Sequence, residues 1–146
     1  PELISRLKKR VDILPVSLAL VQAAKESGWG RSRFAVEGNA LFGQWCYRDG
    51  CGMVPQRRLS EARHEVQRFA SVSDAVAAYL HNINTDDRYR PLRNIRQQLR
   101  HAGREPDGLS LAEGLLYYSQ RRQDYVEEVK KMILQYRALR RNGVVG

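Results

Sequence analysis

One helix that lacks a polar face is the feature of this sequence that most limits its fold. Between residues 16 and 24, only Ser17 and Gln22 are polar. A helix that is apolar on nearly every side belongs in the middle of a core. Pro15 suits the first turn, where its missing N–H needs no partner. We therefore expect a central buried helix that begins near residue 15 and ends before Gly28.

The size and composition of the chain are those of one globular domain. It has 146 residues, of which 42% are hydrophobic and 28% are charged, unlike a disordered segment. No internal repeat or flexible linker interrupts it, so we expect a single domain over residues 1–146 and favour a monomer. No apolar run reaches the ~20 residues that a membrane span needs, and no signal-peptide pattern opens the chain.

The first predicted helix covers residues 2–11. Its apolar residues recur at helical spacing, and they are Leu3, Ile4, Leu7 and Val11. Basic residues occupy the positions between them. We expect these basic residues to lie outside and the apolar residues to face the core.

Four more helices are predicted further along the chain by apolar residues at helical spacing. They cover residues 71–83, 91–101, 110–116 and 123–141. Ser71 or Ser73 is the expected cap of the first of them. Ser110 and Glu113 fit a capping box at the start of the third. Gly103 is expected to end the second.

The segment from residue 44 to 70 breaks this helical pattern, because several glycines and a proline interrupt it. Two short runs, at residues 53–54 and 64–69, fit strands that are joined by a turn at residues 60–63. The sequence therefore predicts a predominantly helical α+β fold with one β-hairpin lobe and a cleft between its lobes.

The two cysteines, Cys46 and Cys51, flank a turn signal formed by Asp49 and Gly50. A tight turn places the two thiols opposite each other, so we favour a disulfide. It would contribute roughly 2 kcal/mol and indicate an oxidising compartment. Free thiols and a metal site are the alternatives, although no second pair of Cys or His lies nearby in the sequence.

The chain is strongly basic. Twenty-five Lys and Arg against sixteen Asp and Glu give a formal net charge of +9. This surplus favours polyanionic partners such as nucleic acid, acidic lipid or a wall polymer, and a solvated basic surface is the alternative. A nucleic-acid-binding module is one alternative function, although no recognition-helix motif accompanies its basic residues. These residues are Arg88, Arg90, Arg93, Arg96 and Arg100.

Glu26 is the first candidate catalytic residue. It lies at the C-terminal end of the apolar helix, where the helix dipole disfavours a carboxylate. Burial and this dipole both raise the pKa of a carboxyl group. A general acid for glycoside cleavage needs a carboxyl group that keeps its proton near neutral pH. The alternative is a carboxylate that reaches solvent or pairs with Lys25, Arg31 or Arg33.

The residues around Glu26 resemble a known family. Glu-Ser-Gly-Trp-Gly at residues 26–30 is followed by Asn-Ala-Leu-Phe-Gly at residues 39–43 and by Gln-Trp-Cys. These blocks resemble the glucosaminidases of glycoside hydrolase family 73, above all their Bax-type branch, which cuts the glycan strand of bacterial peptidoglycan. Scattered matches extend the resemblance over residues 11–139. Two positions depart from the family pattern, because Ala40 replaces an Asn and Arg122 replaces a Gly.

The resemblance implies a lysozyme-like fold in which Glu26 is the catalytic acid. It also implies a second carboxylate on the β insert, either Glu65 or Glu61, and an active-site tyrosine, Tyr118. Strand alternation places Glu65 on the face of Phe69, so we expect Glu65 to face the cleft. No cofactor and no metal are implied. The implied partner is the peptidoglycan glycan strand, and the implied location is the periplasm or cell envelope after export.

Five further residues are candidates for substrate binding. Aromatic rings stack on sugar faces, and asparagine side chains either bind acetamido groups or cap loops. The candidates are Asn39, Trp45, Tyr47, Tyr79 and Asn84. Two other aromatic residues, Trp29 and Phe42, flank a helix end and a glycine turn, and we expect both in the core.

The function that the resemblance implies is hydrolysis of the β-1,4 bond between N-acetylglucosamine and N-acetylmuramic acid, with Glu26 as the acid. Water then attacks with help from the second carboxylate or from the acetamido group of the substrate. A lytic transglycosylase, which closes an anhydro ring without adding water, is an alternative on the same fold. An inactive wall-binding module is another.

Overall fold

A computed structural model of the chain describes residues 1–143. It confirms a predominantly helical α+β fold. The helices are α1 (Glu2–Arg10), α2 (Val16–Ser27), α3 (Arg33–Gly38), α4 (Val72–Thr85), α5 (Arg90–His101), α6 (Gly108–Ala112) and α7 (Gln123–Arg141). The strands are β1 (Trp45–Cys46), β2 (Gly52–Met53) and β3 (Glu65–Gln67). Short 3-10 turns cover Asp87–Tyr89 and Glu113–Leu115.

The chain forms two compact units. Unit 1 combines Pro1–Val21 with Leu80–Gly146, and unit 2 is the continuous segment Gln22–Tyr79. The division falls within α2 and within α4, so each of these helices contributes residues to both units. The β insert expected at residues 44–70 lies inside unit 2. The single domain expected over the whole chain stays a prediction.

Aliphatic residues from α2 and from α4 to α7 make the core of unit 1. Those that are almost fully buried are Leu18, Ile83, Leu92, Leu99, Leu111, Leu115, Val126, Val129 and Ile133. The second 3-10 turn approaches α5 so closely that a Cβ atom at Gly114 would collide with the backbone of Leu92. Only glycine allows this contact.

Helix α2 is buried on one side, which corrects the expectation of a helix that is buried all round. Leu18 and Val21 are buried, whereas Val16 is 69% exposed and Leu20 is 48% exposed. Val16 and Leu20 are four residues apart and therefore share one helix face, which stays open to solvent in the described structure. Neither α2 nor any other helix within residues 1–143 is long and apolar enough to cross a bilayer.

Helix α1 corrects a second expectation, because none of its residues is buried. Its apolar residues Leu3, Ile4 and Leu7 are all more than half exposed. The apolar residues stay exposed because polar contacts, and not apolar packing, join α1 to α5. The guanidinium group of Arg96 donates hydrogen bonds to the carbonyl oxygens of Lys9 and other residues at the end of α1. The apolar residues are therefore not used for packing.

Two of the five arginines behind the nucleic-acid alternative are buried within unit 1, and this alternative stays a prediction that rests on the other three. Arg93 and Arg96 are 3% and 1% exposed, and burial lowers the pKa of both groups. Arg93 donates to the carbonyl oxygens of residues 83 and 86. The other three arginines of that set form ion pairs with aspartates, and they are Arg88, Arg90 and Arg100. Two buried guanidinium groups cannot contact phosphates.

Unit 2 contains a three-stranded antiparallel sheet rather than a simple hairpin. The strand order is β1-β3-β2, so Val66 pairs with Trp45 on one side and with Met53 on the other. The expected strands at residues 53–54 and 64–69 correspond to β2 and β3. Strand β1 was not predicted, because a strand of two residues carries no alternation of apolar and polar residues.

The helix caps agree with the sequence in one case and differ in another. The hydroxyl of Ser71 accepts the N–H of Asp74 (3.1 Å), so the expected cap of α4 is confirmed. The capping box expected from Ser110 and Glu113 is wrong. Asp107 caps α6 instead, because its carboxylate accepts both the N–H (2.9 Å) and the hydroxyl (2.7 Å) of Ser110.

Candidate functional site

Glu26 lies in the last turn of α2, on a backbone that local hydrogen bonds hold in place. Its side chain is half-buried. The hydroxyl of the next residue, Ser27, donates to the carbonyl oxygen of Ala23 (2.6 Å) and accepts the N–H of Gly30 (2.8 Å). Ser27 itself is 1% exposed. The helix end that carries the Glu26 carboxyl group is therefore fixed from both sides.

Three consecutive residues after this helix end adopt left-handed backbone conformations. The φ angles of Gly28, Trp29 and Gly30 are 58°, 61° and 76°. For a tryptophan this conformation costs roughly 1–2 kcal/mol. The turn carries the indole ring outward, so Trp29 is 69% exposed and the expectation that it belongs to the core is wrong. A tryptophan between two glycines was the available sign of a surface turn.

Asn39 acts as a helix cap, one of the two roles considered for it. It ends α3 with a φ of 52°, and its side-chain amide donates to the carbonyl oxygen of Phe69 (3.0 Å). The N–H of Phe69 donates in turn to the carbonyl oxygen of Gly38 (2.9 Å). These bonds tie the end of α3 to the segment that follows β3. Contact between Asn39 and substrate stays a prediction.

Phe42 and Tyr79 stack in the core of unit 2. Their ring centroids are 3.9 Å apart, and the exposed fractions are 4% and 1%. The hydroxyl of Tyr79 donates to the side chain of Gln22. The core position expected for Phe42 is confirmed. Tyr79 is corrected as a sugar-stacking candidate, because a buried ring has no open face for a sugar.

A disulfide and a buried carboxylate together close the turn between β1 and β2. Cys46 and Cys51 form the favoured disulfide. Glu65, directly opposite Cys46 in the sheet, is 5% exposed. Its two carboxylate oxygens accept the N–H groups of Gly50 (2.9 Å) and Gly52 (3.2 Å). Glu65 therefore has a structural role in holding this turn.

Two exposed aromatic residues lie on or beside β1. Trp45 is 56% exposed and stacks on His64, with ring centroids 3.8 Å apart. Tyr47 is 69% exposed. With Trp29, unit 2 thus presents three aromatic rings that are more than half exposed. Glu61, the other candidate carboxylate, is exposed in the segment before β3.

Gln44 carries a buried amide for which the described residues provide no hydrogen-bond partner. Both its side-chain nitrogen and its side-chain oxygen are buried without a bond to residues 1–143. Its backbone carbonyl accepts the N–H of Gln67 (2.8 Å), which extends the ladder between β1 and β3. Burial of an amide without a partner costs about 1–3 kcal/mol, and nothing in the local sequence indicates that Gln44 is buried.

The two remaining candidates, Tyr118 and Asn84, belong to unit 1. The half-buried ring of Tyr118 packs against Tyr125, with centroids 5.4 Å apart, and at 6.0 Å from Tyr89. The side-chain oxygen of Asn84 accepts a hydrogen bond from Arg96 (2.8 Å). Asn84 therefore helps to hold a buried arginine, and its contact with substrate stays a prediction.

Comparison with known families covers nearly the whole chain. Residues 1–138 match the glucosaminidase family, described as mannosyl-glycoprotein endo-beta-N-acetylglucosaminidase. The chain belongs to the glucosaminidase family. It is thereby a glycoside hydrolase, and the resemblance that residues 26–30 and 39–43 indicate is confirmed.

A relative places this glucosaminidase in the Bax-type branch. Protein bax of Escherichia coli (strain K12) is 37% identical over 119 residues, which cover 82% of this chain and 42% of bax. The chain thus spans less than half the length of this relative. No solved structure matches the chain. Within residues 1–143, no group of three or more His, Cys, Asp or Glu side chains is arranged to hold a metal ion.

Proposed function

We propose that this glucosaminidase hydrolyses peptidoglycan at the β-1,4 bond between N-acetylglucosamine and N-acetylmuramic acid, with Glu26 as the general acid. The observation that carries the proposal is the half-buried Glu26 carboxyl group on the fixed last turn of α2. Glu26 gives its proton to the leaving oxygen while positive charge develops on the sugar ring. The proton must stay on the carboxyl group until the bond begins to break.

We assign the activation of water to the acetamido group of the substrate rather than to Glu65. Both oxygens of Glu65 already accept backbone N–H groups, and the residue is only 5% exposed, so its lone pairs are turned away from an attacking water. Glu65 then serves as a positioning residue that holds the turn between β1 and β2. Glu61 is exposed and is the other carboxylate considered for this step.

The exposed aromatic rings of unit 2 are our candidates for sugar contacts. Trp29, Trp45 and Tyr47 are each more than half exposed, and aromatic rings at a wet surface are suited to sugar faces. The stacking of Trp45 on His64 holds the indole in one orientation. Tyr118 keeps its proposed role in orienting substrate or water.

We place the action of the enzyme outside the cytoplasm, in the periplasm or cell envelope. Peptidoglycan lies there, and the disulfide between Cys46 and Cys51 persists in oxidising compartments. The net charge of +9 favours approach to an anionic wall polymer.

Digestion of purified peptidoglycan by two matched variants tests the role of Glu26. Glu26→Gln removes the transferable proton and keeps the shape, so we expect the rate to fall at least about 100-fold. Glu37→Gln changes an exposed glutamate on α3, and we expect its rate to stay within about twofold of the unaltered protein, as for other surface changes. Circular dichroism checks that both variants are folded. Equal rates for both variants would overturn the proposal.

Lytic transglycosylase activity is the second candidate function. It is favoured by the hydrogen bonds of Glu65, which engage this carboxylate. A reaction that closes an anhydro ring needs no second carboxylate to activate water. The engaged carboxylate of Glu65 is compatible with that course as well as with acetamido-assisted hydrolysis. The mass of the products separates the two, because only hydrolysis adds a water molecule.

A further inference from the structure

We propose that α1 and the basic residues beside it form a docking surface for an anionic lipid bilayer. The proposal rests on unit 1 alone and goes beyond the glycosidase activity, so neither depends on the other. It starts from an apolar stripe made of three residues of α1 and the residue that follows the helix, which we define as Leu3, Ile4, Leu7 and Val11. The exposed fractions of these side chains are 69%, 58%, 54% and 72%.

The apolar stripe forms one continuous face of the helix. Leu3 and Leu7 are four residues apart and Ile4 lies three residues before Leu7, so these three side chains are neighbours on the helix, and Val11 caps its C-terminal end. Ile13, just beyond the helix, adds a further apolar side chain that is 56% exposed. An amphipathic helix of this kind lies in the plane of a membrane interface with its apolar face inserted.

Polar bonds from α5 hold α1 without using the apolar stripe. The guanidinium group of Arg96 donates to the carbonyl oxygens of residues 9, 10, 12 and 13 at distances of 3.1–3.2 Å. Arg100 forms an ion pair with Asp12 (2.8 Å). Because these bonds hold the C-terminal end of the helix mainly through its backbone, the helix is fixed while its apolar face remains available to a partner.

Basic residues surround the apolar stripe and give it charge complementarity to anionic lipid. Arg6, Lys8, Lys9 and Arg10 lie on α1, against a single acidic residue, Glu2. Long basic side chains beside an inserted apolar face extend toward lipid phosphates. Each one near an anionic membrane surface contributes roughly 1 kcal/mol of attraction.

A cavity beside α1 adds to this basic surface. It has a volume of about 370 Å³ and lies between α1 and α5. Lys8, Lys9, Arg100 and His101 are among its lining residues, with Asp12 as the acidic one. Asp12 is already paired with Arg100, so the charges of Lys8 and Lys9 favour an anion such as a lipid phosphate.

Other partners would bind only part of this surface. A wall polymer or a nucleic acid would use the charges and leave the apolar stripe in water. A second copy of the chain would cover the stripe and bring two sets of four basic residues together, which is repulsive. An anionic bilayer buries the apolar stripe and also pairs with the basic residues.

Co-sedimentation with lipid vesicles tests the proposal. We expect the full chain to bind vesicles that contain phosphatidylglycerol at least about tenfold more tightly than vesicles of phosphatidylcholine alone. Replacing Leu3 and Leu7 together by Gln should weaken the first affinity at least about tenfold. The matched control replaces Leu134 and Leu139 on α7, which are 53% and 43% exposed, and should change it less than about twofold.

Four results would overturn the proposal. The first is equal binding to both kinds of vesicle, and the second is an equal loss in the α1 variant and the α7 control. The third is a dimer, seen by analytical ultracentrifugation, that the Leu3 and Leu7 replacement abolishes without any vesicle binding. Displacement of the protein from vesicles by millimolar inorganic phosphate would likewise show that the cavity binds a free anion instead of a lipid headgroup.

Discussion

Arg122 holds a backbone conformation that suits glycine and strains other residues. Its φ and ψ are 50° and −112°, at the position where the family pattern has Gly. The side chain packs its guanidinium group over the ring of Tyr117, 4.7 Å from the centroid. This exposed contact recovers about 0.5–1 kcal/mol, less than the 1–3 kcal/mol that such strain costs. The departure from the family therefore leaves strain next to Tyr118.

Arg122→Gly should stabilise the protein. We expect the free energy of unfolding to rise by about 1 kcal/mol, because the relieved strain exceeds both the lost exposed contact and the entropy that glycine adds to the unfolded state. Urea unfolding followed by circular dichroism measures the change. Gln120→Gly is the control in the same turn, where the φ angle is ordinary, and it should destabilise. A loss of stability in Arg122→Gly would contradict the strain argument.

Gln44→Met should also stabilise the protein, for a different reason. The side-chain amide of Gln44 is buried without a partner in residues 1–143, and an apolar side chain of similar shape avoids that cost. We expect a gain of about 1 kcal/mol, measured by thermal unfolding. Gln56→Met, at an exposed position, should stay within about 0.5 kcal/mol of the parent protein. A loss of stability in Gln44→Met would mean that the amide makes a bond in solution.

Among the secondary-structure elements, the link between α1 and α5 depends on pH. The hydrogen bond from Arg100 lowers the pKa of Asp12, and the same pair raises the pKa of Arg100. Because the pKa of Asp12 is lower in the folded state than in the unfolded state, its carboxylate stabilises the fold above its unfolded pKa of about 3.9. This stability is lost as the pH falls through the folded pKa.

Asp12→Asn should therefore weaken the fold at neutral pH and not in acid. We expect a loss of about 1 kcal/mol at pH 7, since the pair is partly exposed to solvent. The difference should shrink toward pH 2, because Asp12 loses its charge as the pH falls through its lowered folded-state pKa. Urea unfolding at several pH values measures it. A difference that is the same at both pH values would show that the ion pair is not its source.

The turn between β1 and β2 is held by Glu65 from the opposite strand. Glu65→Gln leaves one oxygen acceptor for two N–H donors, so we expect a loss of about 1–2 kcal/mol and a raised KM as the turn loosens. Glu61→Gln, at an exposed position, should change neither. Thermal unfolding and steady-state kinetics on wall fragments measure both properties. A fall in kcat with unchanged KM and unchanged stability would instead give Glu65 a role in the chemical step.

Helices that local sequence patterns determine could be predicted from the sequence. Strands and helix caps that depend on tertiary contacts could not. Helix α7 was predicted over its full range because 19 residues carry several turns of apolar spacing. The cap of α6 was missed because Ser110 and Asp107 both resemble caps, and only the folded backbone selects between them. Strand β1 was missed since its two residues are defined by pairing with β3.

Helix α1 shows the limit of the same reasoning for burial. Its apolar spacing predicted the helix correctly and its orientation wrongly. Spacing shows that one face is apolar, but it does not show what lies against that face. The contacts that orient α1 come from Arg96, which is more than eighty residues away in sequence.

For the whole molecule, the motifs identified the family and the sequence left the details of the site open. Residues 26–30 and 39–43 were sufficient for the family because their spacing is specific. The exposure of Trp29, the burial of Tyr79 and the bonds of Glu65 depend on how unit 2 folds.

Mass spectrometry of the products from purified peptidoglycan is the sharpest test of Glu26 as the general acid of a glucosaminidase. We expect fragments that carry the mass of one added water and that end, after borohydride reduction, in reduced N-acetylglucosamine. Glu26→Gln should yield almost none of them, while Glu37→Gln yields the normal amount. Fragments that end in anhydro-N-acetylmuramic acid, or normal products from Glu26→Gln, would contradict the account.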